Sequence, residues 1–175
     1  MTRILEALGR RIVARDTAEE IGRVTQLIIG RDARITAVTT GPFELGPMVG
    51  GPGWATGMGA VGFTPPAPRI VLDWSSIVGF GPDAVVAETE SSVRGPASDE
   101  ELAAISGGSL LDRPLMTDAG DIMGSIADVE FDADTGRLTA FVVGDRVVPL
   151  TRLMAIGPFA VIVTAPDRPP RDSGS

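Results

Sequence analysis

The chain has 175 residues, with 15 basic side chains against 23 acidic ones and a formal net charge of −8. Every basic residue is Arg; Lys, His, Tyr and Cys are absent. That composition excludes thiol nucleophiles, disulfides, thiolate metal sites, Schiff-base amines and imidazole catalysis, leaving carboxylates and hydroxyls for any proton transfer. The acidic balance works against non-specific attraction to nucleic acid or anionic membrane. Charge is unevenly spread: residues 1–34 hold seven Arg and five acids, residues 91–175 seven Arg and thirteen acids.

In chain order, Thr2 to Leu8 reads as a short helix, capped by Thr2 and ended by Gly9. Met1 to Val13 places Arg3, Arg10 and Arg11 around too short an apolar run for a signal peptide, so a cytoplasmic protein is expected. Strand-like material follows at Ile12-Val13, Ile21 to Ile29, Ile35 to Val38, Ile70 to Leu72 and Ala84 to Ala87. Ser98-Asp99-Glu100-Glu101 is a capping-box pattern that opens a second short helix through Ile105. From Ala127 the residues alternate, Ala127, Val129 and Phe131 facing one way, Asp128 and Glu130 the other, as in a half-buried strand. Asp132 to Gly136 (DADTG) is a turn, Leu138 to Val143 the return strand, and Gly144-Asp145-Arg146 a tight turn into Val147-Val148. A last apolar run, Phe159 to Val163, enters through Gly157-Pro158.

The two halves align. At an offset of 102, Gly22 meets Gly124, Leu8 meets Leu110, Arg11 meets Arg113, Asp16 meets Asp118 and Asp32 meets Asp134. Gly136 is read as one extra residue, after which Arg34, Thr36, Ala37 and Gly41 meet Arg137, Thr139, Ala140 and Gly144. At the far end GPDAV (81–85) meets GPFAV (157–161). A duplicated unit is expected. IGRVTQL with VLDWSSIVGFGPDAVVA, and MGSIADVEFDADTGRLTAFVVG with VVPLTRLMAIGPFAVIV, resemble PRC-barrel repeats. The resemblance implies an all-β fold of two tandem small antiparallel β-barrels, each preceded by a short helix, in a bacterial protein. It implies binding or assembly rather than catalysis, as in the reaction-centre H subunit and a ribosome maturation factor. The expected domains are 1–90 with an insertion at 42–69, a linker at 91–109, a second barrel at 110–166 and a disordered tail at 167–175.

The insertion stands where the second half has only Asp145-Arg146. From Leu45 to Pro68 it has no charge and is rich in Gly and Pro, a density that argues against a membrane-spanning helix. Phe43, Met48, Trp54, Met58 and Phe63 in it are the candidate partner-binding residues, because Trp and Met offer adaptable apolar contact on a loop. Arg10, Arg11 and Arg15 are the candidate RNA contacts, although no aromatics are interleaved to stack on bases.

No cofactor or metal is expected. DADTG begins like a calcium loop, but Gly136 and Val143 occupy later ligand positions. Gly50-Gly51-Pro52-Gly53 and Gly57-Met58-Gly59 lack the strand, helix and Lys of a phosphate loop. Glu19-Glu20 and Glu100-Glu101 fit solvated turns and a helix start. The expected function is a non-enzymatic adaptor that binds another protein through the barrel surface and the 42–69 loop. An RNA- or ribosome-associated factor is the alternative. Small cores in each half lead to the expectation that the halves pack on each other or on another copy.

Overall fold

The computed structural model describes residues 1–41, 70–95 and 110–166. The first part of the chain forms β1 (Thr2–Arg3), α1 (Ile4–Ala7), β2 (Arg11–Ala14), β3 (Glu20–Ile29), β4 (Ile35–Gly41), β5 (Ile70–Asp73), β6 (Ile77–Phe80), β7 (Ala84–Ala87) and β8 (Val93–Arg94). The second forms β9 (Pro114–Thr117), β10 (Ile122–Ser125), β11 (Asp128–Phe131), β12 (Leu138–Val143), β13 (Arg146–Pro149), β14 (Leu153–Ile156) and β15 (Val161–Val163). Short 3-10 turns at Trp74–Ser76 and Leu150–Arg152 carry β5 into β6 and β13 into β14. The protein is mostly β, with very little helix, and its sheets are curled like half-barrels.

The described residues form three sheets, ordered β6-β7-β2-β3-β4-β5-β8, β1-β11-β12-β13 and β10-β9-β15-β14. The pairing is antiparallel except that β2 runs parallel to β7 and β9 parallel to β15. Among the described residues the ladders are open rather than two closed rings, so the closed-barrel expectation is met only at the coarser level of curled, mostly β sheets.

One set of backbone hydrogen bonds occurs in both halves. Gly9 N donates to Val24 O and Asp112 N to Ile126 O, each at 2.8 Å; Gly81 N donates to Ala84 O at 2.9 Å and Gly157 N to Ala160 O at 3.0 Å. Glu88 N donates to Ser76 O at 2.9 Å, and Thr164 N to Arg152 O at 2.8 Å. Gly22 sits opposite Ile12, as Gly124 sits opposite Leu115. Gly124 has φ +135, and a Cβ there would lie 2.7 Å from Val143 Cγ1.

These bonds correct the sequence register in two places. Arg113 corresponds to Arg10, not Arg11: each sends its NH1 to a carbonyl of the same turn, Arg10 to Gly81 O at 2.7 Å and Arg113 to Gly157 O at 2.8 Å. The first half does have a counterpart of Gly136. Gly30 N donates to Arg34 O and Asp132 N to Arg137 O, both at 2.8 Å, so Ala33 (φ +57) stands where Gly136 (φ +69) does. The extra residue therefore lies within 133–135. Among the described residues, the three non-glycine residues with positive φ, Ala18, Ala33 and Asp112, correspond to glycines with positive φ: Gly120, Gly136 and Gly9. A left-handed backbone position is needed at each of these sites, and only one copy meets it with the residue that adopts it without steric cost.

The halves meet tip to tip at the β3–β4 and β11–β12 turns. Ile35 N donates to Gly136 O at 2.8 Å and Leu138 N to Ala33 O at 3.0 Å, with Arg34 and Arg137 forming an antiparallel bridge. One apolar cluster runs through both halves, from Ile4, Ile12, Val24 and Leu72 to Leu115, Phe131, Phe141 and Val161. Burial of a side chain such as Phe131 contributes about 1.5–3 kcal/mol, and sharing one core offsets the small size of each half.

The expected Thr2–Leu8 helix shrinks to Ile4–Ala7, with Arg3 as the cap residue and no side-chain cap bond. Thr2 is drawn instead into pairing with Phe131, and Arg3 with Glu130, reinforced by an Arg3–Glu130 ion pair at 3.1 Å. The cap acceptor comes from the other half: buried Asp128 takes Leu5 N–H at 3.2 Å through Oδ1. The helix expected at Ser98–Ile105 and the tail 167–175 lie outside the described residues.

Candidate functional site

Arg10, offered by the sequence as an RNA contact, is committed to the fold. Its Nε donates to Glu6 O at 3.0 Å, NH1 donates to Gly81 O, and the guanidinium lies 5.4 Å from the Phe80 ring centroid. Arg11 is exposed at the end of β2 and pairs loosely with Glu20 at 3.5 Å, a carboxylate that Arg23 also approaches at 3.4 Å. Arg15 is exposed on the turn after β2. The three arginines therefore do not form one continuous basic patch. Phe43, Met48, Trp54, Met58 and Phe63 all lie outside the described residues.

Below Arg10 is an aromatic cluster that joins the halves. Trp74 stacks on Phe80 at 5.3 Å between centroids, and Phe131 meets Trp74 edge-on at 6.2 Å and Phe80 at 5.5 Å. Trp74 also lies flat against the backbone of Gly136; a Cβ there would be 2.8 Å from Trp74 Cε2. The corresponding positions in the second half are Leu150 for Trp74 and Ile156 for Phe80, so the matching site is aliphatic. This cluster is a structural seam: Phe131 is fully buried, and Arg10 lies over the Phe80 ring.

The acidic turn is likewise structural. Asp132 Oδ1 accepts the amides of Asp134 and Thr135, each at 2.9 Å, and the bond from Thr135 first, then that from Asp134, holds its carboxyl below the usual 3.8. An oxygen fixed on two backbone amides is a turn element, in keeping with the sequence reading. Among the described residues no group of three or more His, Cys, Asp or Glu could hold a metal ion. Also among them, no helix is long and apolar enough to cross a membrane. Asp118 accepts Ala165 N–H at 2.9 Å, and Arg94 forms a two-pronged pair with Asp73 at 2.6 and 3.0 Å. Thr40 Oγ1, at the end of β4 just before the insertion, is buried without a hydrogen-bond partner.

One surface was missed. Phe159, expected in a strand, is in the turn before β15 and is 75% exposed; Ile122 is 67% exposed and Met154 58%. The signal was present in the paired motifs GPDAV and GPFAV, which set Phe159 against Asp83, and in the pairing of Ile122 with Glu20 at the 102 offset.

The fold and these contacts define a mostly β scaffold in which charged groups such as Arg10, Arg113, Asp128 and Asp132 brace backbone. Comparison with protein families adds one finding: residues 104–166 match the PRC-barrel domain. That domain is not a typical catalytic fold. Comparison with curated proteins returns no match.

Proposed function

We propose that the chain is a non-enzymatic adaptor or assembly module, built from two PRC-barrel-like units in tandem. It binds another protein through its barrel surface and the 42–69 insertion. One observation carries the reading: the two halves repeat the same backbone hydrogen bonds, yet β4 and β5 are separated by residues 42–69 where β12 and β13 are separated only by Gly144-Asp145. A rigid frame that closes this hairpin with two residues has no folding need for the longer connection. An uncharged segment containing Met48, Trp54, Met58 and Phe63 supplies contact area on such a frame.

The test is affinity capture from the native cell with the full chain, with Trp54→Ala, and with residues 42–69 replaced by the Gly144-Asp145 turn. Loss of the same partner in both variants is expected. A partner set unchanged by either variant would sink the reading. So would turnover abolished by one carboxylate replacement, or salt-dependent RNA retention lost with Arg11 and Arg15, the latter favouring an RNA-associated role.

A further inference from the structure

The outer face of the β10-β9-β15-β14 sheet carries an apolar row that the fold does not require. Ile122 lies opposite Met116 across β10–β9, Met116 opposite Ile162 across β9–β15, and Ile162 opposite Ala155 across β15–β14. Partners in register project to one face, so these four side chains form a line across all four strands. The opposite face takes Leu115, Val161 and Val163 into the core, each fully buried. Exposed Met154, at the bulge in β14, and Phe159, in the turn between β14 and β15, flank the row.

The first half supplies an internal control. Its corresponding line is Glu20–Val13–Val86–Gly79, read from the same ladders, with Val78 in place of Met154 and Asp83 in place of Phe159. Glu20 is held there between Arg11 and Arg23. The same backbone thus tolerates carboxylates at the positions of Ile122 and Phe159, and core packing does not explain the apolar residues of the second half.

We propose that this outer face is a homotypic docking surface, on which a second copy of the chain packs face to face about a two-fold axis. Charge selects the occupant. In an isologous contact a patch meets itself, so ionised groups near the axis face their own copies and those elsewhere must be desolvated. On a chain of net charge −8, self-association requires a face without ionised groups, and none of the six residues above is ionisable. The face of the first half instead carries Glu20, Arg11, Arg23 and Asp83, ionised groups that would have to be desolvated in such a contact. Sheets pack face to face about 10 Å apart with their side chains interdigitated, which suits a flat row of Ile and Met. Four strands at about 4.8 Å spacing make a face well under the roughly 800 Å² per partner of a standard stable interface, so the dimer forms at micromolar concentrations or above. The inference rests on the barrel-surface part of the proposed function, and names one partner for it.

The experiment is analytical ultracentrifugation of the full chain from low to high micromolar concentration, at low and moderate salt. A monomer–dimer equilibrium is expected, tightening several-fold as salt screens the repulsion between two acidic copies. Ile122→Glu and Phe159→Asp, which install the first half's own residues, should each weaken it at least ten-fold with unchanged circular dichroism and melting temperature. In the wild-type chain, hydrogen exchange should become slower with concentration at β9, β14 and β15. A chain that stays monomeric throughout overturns the proposal, as does a dimer indifferent to both substitutions or lost only on removal of 42–69. None of those results alters whether capture of another protein depends on Trp54, so the two readings fail separately.

Discussion

The two halves share a hydrogen-bond skeleton and differ in what hangs on it. At the seam, the first half offers Trp74 and Phe80 to Phe131 and Gly136, whereas the corresponding residues of the second half are the aliphatic Leu150 and Ile156. On the outer faces, Glu20 and Asp83 stand where Ile122 and Phe159 do. A backbone that accepts either set separates two kinds of constraint. Positions that both halves treat alike, such as Gly22 and Gly124 or Arg10 and Arg113, belong to the scaffold; positions treated differently are free to carry a role.

The sharpest way to break the comparison is Gly136→Ala. Ala is already present at the counterpart Ala33, but at Gly136 the new methyl would meet the Trp74 ring at 2.8 Å and the residue would keep φ +69. Strain and overpacking together should cost about 3 kcal/mol, measured by urea unfolding, whereas Ala33→Gly should change stability by less than about 1 kcal/mol. A smaller effect of opposite sign is expected for Thr40→Val. The register makes Val143 the counterpart of Thr40, and the buried Thr40 hydroxyl has no partner. The swap should stabilise the protein by about 1 kcal/mol; a loss of stability would mean that the hydroxyl is used.

Ala18→Gly makes a turn of the first half like Gly120 of the second. With φ +58 at exposed Ala18, the change should stabilise by about 0.5–1 kcal/mol, visible as a rise in melting temperature. The smallest effect concerns pH. Asp132 has a folded-state pKa below 3.8 because two backbone amides hold its anion, so its contribution is present above the unfolded value and is lost as pH falls through the folded one. Wild type should therefore lose slightly more stability than Asp132→Asn between roughly pH 5 and pH 2; parallel melting curves across that range would remove the Asp132 contribution.

Much of the β framework was legible because its signals are local. Val129 and Phe131 placed β11, although Ala127 is exposed and Asp128 buried, against the expected alternation; DADTG located the hairpin, and Gly144-Asp145 the next turn. The register between halves was only partly legible. Matching Leu8 to Leu110 and Arg11 to Arg113 is good by residue identity, but a one-residue slip in a strand reverses its faces, and the backbone bonds of Gly9 and Asp112, with the guanidinium bonds to Gly81 and Gly157, reveal that Arg10 is the true counterpart. Ala33 escaped notice because nothing in its side chain announces a left-handed backbone, whereas Gly136 invites that reading. Thr2 was expected to cap a helix because local patterns carry no trace of Phe131, its strand partner far along the chain. The exposed row on the second half fell between β-strand patterns that look alike whether the outer residue is Glu20 or Ile122.

The claim on which the account turns is that the two hairpin tips bind the halves into one cooperative unit. Native-state hydrogen exchange at Ile35 and Leu138, whose amides cross the seam to Gly136 and Ala33, tests it most directly. Both amides should exchange only by global unfolding, with the same opening free energy as core amides such as Val38 and Phe141. Fast exchange at the seam while each half keeps its own protected core would contradict it.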